Sequence, residues 1–202
     1  MGSSFEKLAD LFARFPGIGP RQAKRFVYFL LTQNGSFTAE LANEILALRK
    51  EVARCVDCQR FFRGSGRLCS VCGNASRDHT SLLVVEKDVD LDAIEKTGIY
   101  KGLYFVLGGI LPLLEKAPDE MIRTASLLAL VKTRIQKDSL KEIILALSAT
   151  PDGDNTAEYV KEKLEPVLGD IPIHILGRGL STGSELEYAD QETLRNAFAG
   201  RK

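Results

Sequence analysis

The chain has 202 residues, 45% of them hydrophobic, and its 27 basic residues balance 27 acidic ones. That length and apolar share fit one or two domains with a real core, and no apolar run approaches the ~18 residues that a membrane span requires. Zero net charge, taken alone, argues against nucleic acid. The charge is unevenly placed, however: residues 1–79 hold 12 Lys and Arg against 7 Asp and Glu, and residues 80–202 hold 15 against 20. Such asymmetry suggests a basic binding half and an acidic half with a different task. The opening residues carry no secretory signal, and Glu6 stands where a myristoylation motif wants Ser or Thr. A soluble cytoplasmic protein is therefore expected.

Ser3-x-x-Glu6 reads as a capping box, and Phe5, Leu8, Leu11, Phe12 and Phe15 follow at helical spacing until Pro16. Pro16-Gly17-Ile18-Gly19-Pro20 is a tight turn, with Pro20 suited to the first position of a second helix. That helix keeps Ala23, Phe26, Val27 and Leu30 on one face and Arg21, Lys24 and Arg25 elsewhere. Helix, G-I-G turn and basic helix resemble a helix-hairpin-helix motif. Backbone N–H groups at a helix N-terminus favour anions, so Gly17, Gly19, Arg21, Lys24 and Arg25 are candidate contacts to DNA phosphates, with no sequence read. The bland alternative is an ordinary helical hairpin. Thr38 is expected to cap a third helix, running to Arg54 with Leu41, Ile45, Leu48 and Val52 buried.

All four cysteines follow at once, as Cys55-x-x-Cys58, ten residues, and Cys69-x-x-Cys72. Two knuckles supply the four thiolates of a structural tetrahedral zinc site, and the spacer can fold back as a small hairpin. A disulfide pair or a redox C-x-x-C is the alternative. Paired knuckles with no spare cysteine favour zinc, which would fold a segment too small to hold itself. Arg60, Arg63 and Arg67 lie in the spacer beside Gly64 and Gly66. His79 and His174 receive no role.

The pattern then changes to strands at Ser81–Val85, Leu103–Leu107, Glu142–Leu147 and Ile171–Leu176. Helices are expected over Asp88–Thr97, from Asp119 to about Lys137, and over Thr156–Leu168. Strands alternating with helices give a mainly parallel α/β sheet. Glu86, Asp152 and Asp154 fall just past strand ends, the edge where ligands bind, and three converging carboxylates could hold Mg²⁺. A Glu after one strand, Gly108-Gly109 after another and D-x-D after a third resemble a Toprim domain; the alternative is an acidic turn. A glycine-rich, then acidic, tail starts at Gly177, and Asp190 is placed to cap a last helix, Gln191–Ala199.

In order, F-P-G-I-G-P-R-Q-A-K-R from Phe15, the four-cysteine module, L-L-V-V-E from Leu82, Y-F-V-L-G-G from Tyr104 and the tail from Arg178 resemble the RecR family over nearly the whole chain. The expected fold is α/β with an N-terminal all-α segment. It divides into a helical domain (1–54), a zinc module (55–79), a Toprim domain (80–176) and a C-terminal segment with a helix (177–202). The resemblance implies a DNA-binding recombinational repair mediator without established catalysis. It would act with RecO and RecF to load RecA at single-stranded gaps. It would bind single- and double-stranded DNA without sequence preference, as a ring or clamp, expected to be a homo-tetramer. Arg21 and Arg25 fall at matching basic positions. The sequence departs from the family where Asp152 and Asp154 replace two glutamates, where Ser181-Thr182 replaces Pro-Val, and where the stretch between Gly109 and Asp119 lacks its glycine-rich form. The acidic cluster keeps a second reading open, a Mg-dependent Toprim nuclease or strand-transfer enzyme. A third is a zinc-and-helix scaffold that does not bind DNA.

Overall fold

The computed structural model describes residues 2–114, 117–138, 140–177, 179, 180, 183 and 185–199. The chain forms two compact units, Met1–Val52 and Ala53–Lys202.

The first unit is helical: α1 (Ser4–Phe12), α2 (Pro20–Thr32) and α3 (Gly35–Glu51). The capping box at α1 is made in both directions, with Ser3 N donating to Glu6 Oε2 at 2.8 Å and Glu6 N to Ser3 Oγ at 3.4 Å. α1 stops at Phe12, before Pro16, because the chain tightens: Arg14 N bonds Leu11 O and Phe15 N bonds Phe12 O, both three residues back. Gly17 then takes φ 74°, a left-handed turn that a side chain would strain, and Pro20 opens α2. Ala23 and Val27 are buried on α2, and Phe12 packs edge-on against Phe26 with ring centroids 5.6 Å apart.

α3 departs from expectation at both ends. Asn34, not Thr38, is the cap: its Oδ1 accepts from Phe37 N at 2.9 Å. The helix ends at Glu51, and Val52–Arg54 is extended. Its apolar stripe is not a core face: no α3 residue is buried, and Ile45 and Leu48 are 59% and 61% exposed. Periodicity identifies an apolar face but not what covers it.

Next come a two-stranded ribbon, β1 (Val52–Arg54) and β2 (Phe61–Arg63), and a four-stranded sheet in order β4-β3-β5-β6. The spacer between the knuckles therefore pairs with residues before Cys55 rather than only with itself. The sheet strands are β3 (Asp78–Val85), β4 (Gly102–Val106), β5 (Glu142–Ala146) and β6 (Ile173–Ile175), and every pairing is parallel. Between them run α4 (Asp88–Thr97), α5 (Pro118–Met121), α6 (Thr124–Asp138) and α7 (Pro151–Leu168), and α8 (Gln191–Ala199) follows β6.

The continuous apolar runs of β3 and β4 belong to strands covered on both faces: Leu82–Val85 and all five residues of β4 are buried. α4 has the expected bounds and ends at Gly98 in the left-handed region, φ 64°. The helix expected from Asp119 is two helices, broken at Ile122-Arg123, where Ile122 is extended and Arg123 N bonds Leu107 O at 2.9 Å. Leu127 and Val131 on α6 meet Val160 and Leu164 on α7 in one core with the sheet.

Arg77 anchors the start of β3. Its guanidinium makes paired bonds to Glu95 at 2.9 and 3.0 Å and donates twice to the Gly102 carbonyl. Burial alone would raise the Glu95 carboxyl, but the Arg77 contacts prevail and hold it below its usual value. That stability is fully present above the unfolded value of about 4.3 and is lost as pH falls through the lowered folded value. Arg77→Ala is expected to cost about 2 kcal/mol in urea denaturation at pH 7. Glu95→Gln should flatten the acid limb of stability against pH.

Candidate metal centre and nucleic-acid interface

The four thiols meet in one cage. Cys55, Cys58, Cys69 and Cys72 are buried and free, and their Sγ atoms all lie within 4.8 Å of one another. Cys58 Sγ and Cys69 Sγ are 3.6 Å apart, far beyond a disulfide and close to the edge of a tetrahedron with metal–sulfur bonds of about 2.3 Å. The donor set therefore fits a thiophilic ion held by four sulfurs. Hydrogen bonds from its neighbours, Cys58 first, lower Cys55, while Cys55, Cys58 and Cys69 all push Cys72 up. A bound cation would displace the thiol protons.

The cage is fixed to the sheet. Val106 N donates to Cys58 O at 2.8 Å, and Arg123 Nη1 reaches both Gln59 O (3.2 Å) and Val106 O (3.1 Å). Gln59, directly after the first knuckle, takes φ 62°. From α6, buried Arg134 bonds Asp57 Oδ2 and His79 Nδ1, each at 3.0 Å. An open cavity of about 500 Å³ beside these groups is lined by Asp57, Gln59, Cys72, His79, Thr133 and Arg134, among others. His79 thus braces the module through Arg134 and stands outside the cage. Sequence reasoning missed Arg123 and Arg134. For Arg134 a signal existed, since it shares the inward stripe of Leu127 and Val131, where an arginine needs partners.

The acidic residues are not gathered as expected. Among the described residues, the four cysteines are the one set of three or more His, Cys, Asp and Glu side chains arranged to hold a metal. Glu86 does lie past the end of β3, where strand order switches direction, but it is 6% exposed and paired with Lys87 Nζ. Asp152 and Asp154 do not sit in a turn after β5. α7 already begins at Pro151, capped by Thr150 Oγ1, which accepts from Gly153 N at 3.1 Å. The first two turns of α7 have structural work: Asp152 Oδ1 accepts from Leu113 N at 3.1 Å, Thr156 Oγ1 from Leu111 N at 2.8 Å, and Asn155 Nδ2 donates to Leu111 O at 3.2 Å. Asp152 and Asp154 also complement the positive end of the helix.

In the first unit, Gly19 precedes α2 in extended conformation, and added Cβ atoms at Gly17 and Gly19 would meet nothing within 4 Å. The turn is open on its outer side. Arg21, Lys24 and Arg25 are all exposed, and Arg25 Nη1 contacts Gln22 Oε1 at 3.3 Å. α2 contains no acidic residue, so its first turns present cations and unbonded N–H groups together.

Comparisons with known proteins agree with this architecture. The model of the RecR helix-hairpin-helix matches residues 5–48, the Toprim domain model residues 80–170, and the RecR C-terminal model residues 179–202. The recombination protein RecR of Chlorobium phaeobacteroides is 37% identical over 198 residues, which cover 98% of this chain and 96% of its own. This chain belongs to the RecR family. The RecR of Treponema pallidum is 37% identical over 201 residues (98% of this chain, 95% of its own), and that of Chloroflexus aurantiacus 39% over 196 residues (97% and 92%). Within this RecR chain the helix-hairpin-helix match falls on α1 to α3, and the Toprim match on most of the sheet with α4 to α7. Of the tail that carried part of the resemblance, Arg178, Ser181, Thr182 and Ser184 lie outside the described residues, while Leu186–Tyr188 forms a 3₁₀ turn before α8.

Two outcomes test this geometry. Cys69→Ser should lower the metal content of purified protein, measured by atomic emission, and acidification should release the ion as the thiolates reprotonate. Gly153→Ala should destabilise the fold although alanine favours helices, because its Cβ would run into the Ser148 carbonyl. A loss of at least about 1 kcal/mol in urea denaturation is expected.

Proposed function

We propose that this RecR chain is a DNA-binding repair mediator rather than an enzyme, acting in the cytoplasm with RecO and RecF to help load RecA at single-stranded gaps. The observation that carries the reading is the helix-hairpin-helix, with its open Gly17–Gly19 turn and exposed Arg21, Lys24 and Arg25 at the N-terminus of α2. These groups contact phosphates of single- and double-stranded DNA alike, without reading bases. The metal is zinc in a structural role, since four buried thiolates leave no open coordination position. The mediator reading is preferred to the nuclease because Glu86 is neutralised by Lys87 and Asp152 is engaged by Leu113.

Assembly into a ring, a homo-tetramer, supplies avidity that one hairpin on a chain of zero net charge lacks. The open apolar faces of α2 and α3, with Tyr28, Phe29, Ile45 and Leu48, support self-association. The functional divisions in this reading are residues 1–54, 55–79, 80–176 and 177–202, with the Toprim region and tail meeting partner proteins.

The test is DNA binding against protein concentration, with light scattering at several salt concentrations. Binding that appears with oligomers and weakens steeply with salt is expected. Arg21→Ala/Arg25→Ala should reduce the logarithmic salt slope by roughly two. An unchanged slope removes the hairpin as the DNA contact. DNA cleavage with Mg²⁺ that disappears in Asp152→Ala/Asp154→Ala would overturn the mediator reading.

A further inference from the structure

The ribbon of the cysteine module has an outward face that the metal site does not use. Alternation along β2 turns Phe62 inward, against the core, and leaves Phe61 and Arg63 exposed. Phe61 is 48% exposed, and Arg54 Cζ from the neighbouring strand lies 4.8 Å from its ring centroid. Arg67, also exposed, lies just beyond Gly66. Residues 59–68 contain three arginines and no carboxylate. The carboxylates of α4 that reach the ribbon are engaged: Asp92 pairs with Arg60 at 2.7 Å, and Asp88 accepts the Phe61 N–H at 2.7 Å.

Half exposure alone is ordinary for an aromatic ring, but the arginines beside this one limit what could stack on it. A guanidinium stacked on an aromatic ring, half open to water and flanked by further arginines, suits a flat, anionic, unpaired ligand. In a duplex the base faces are already stacked. In a single strand they are available.

We propose that this face is a second DNA contact, specific for single strands, in which Phe61 stacks on a base while Arg54 and Arg67 hold the adjoining phosphates. The proposal rests on the DNA-binding reading above and deepens it. The hairpin meets backbone and binds both DNA forms, whereas the ribbon favours unpaired bases. It thus supplies a strand-type preference that the hairpin lacks.

The chain contains no tryptophan, so Phe61→Trp in the full-length, metal-loaded protein is a sole reporter at the stack. Titration with a thymine homo-oligomer should quench its emission, and duplex of equal length should quench it far less. Phe61→Ala should weaken single-strand binding about tenfold and leave duplex binding within about twofold. Arg54→Ala/Arg67→Ala should lower the single-strand salt slope by about one to two. Metal content and circular dichroism check that each variant is folded, and the tryptophan variant decides the matter if Phe61→Ala is not.

Tryptophan emission unmoved at saturating single strand would overturn the proposal. So would quenching by poly-glutamate but not by DNA, which would mark the face as a site for an acidic protein. If Arg21→Ala/Arg25→Ala abolishes binding while the Phe61 variants match the parent, the hairpin reading stands and this one falls. If the parent protein binds neither DNA form, both fall.

Discussion

The free edge of β4 is the constraint on which the second unit depends. A parallel strand buried on both faces still presents a row of N–H and C=O groups along its outer side, and an uncovered edge invites pairing with other chains. Here that edge is closed by non-strand partners. Cys58 O accepts from Val106 N, Arg123 binds Val106 O, and Arg77 binds Gly102 O. The cysteine module is therefore the cover of the sheet as well as a ligand cage. Its carbonyls at Cys58 and Gln59 meet the same few groups that end β4. This links ion binding to the integrity of the hydrophobic core, of which the four buried cysteines are themselves part.

The first turn of α7 shows how one acidic pattern can serve different ends. A carboxylate at a helix N-terminus is favourable without any ion, because it faces the unbonded N–H groups and the positive end of the macrodipole. Asp152 adds a bond to Leu113 N, and Thr156 and Asn155 bind Leu111 on the same loop. The stretch after β4 is thereby docked onto α7. Gly153 is required by the close approach of the Ser148 carbonyl rather than by a turn.

Much of this was legible from local chemistry. Ser3 and Glu6 announce a capping box, Pro20 a helix start, Gly98 a helix end, and the cysteine spacing a cage, because each signal acts within a few residues. The misreadings share another cause, since they depend on what lies across space. Thr150-Pro151 carries the cap and first-turn signature of a helix, but the D-x-D that follows reads equally as an acidic turn, and only the Ser148 carbonyl explains the glycine between the two aspartates. The stripe of α3 has the periodicity of a core face, but periodicity does not say whether its cover is in the same chain. The stripe of α6 signals that Arg134 needs partners but does not name them, since Asp57 and His79 lie 77 and 55 residues away.

The open stripe of α3 has a thermodynamic consequence for the first unit. Few side chains of that unit are fully buried, among them Ala9, Ala23 and Val27, so little apolar area is withdrawn from water by the isolated fold. In the assembly proposed above, cover supplied by another copy would link folding to association by mass action. Its melting temperature is then a property of the solution, rising as protein becomes more concentrated. Dilution alone would then loosen the helices on either side of the Gly17–Gly19 turn.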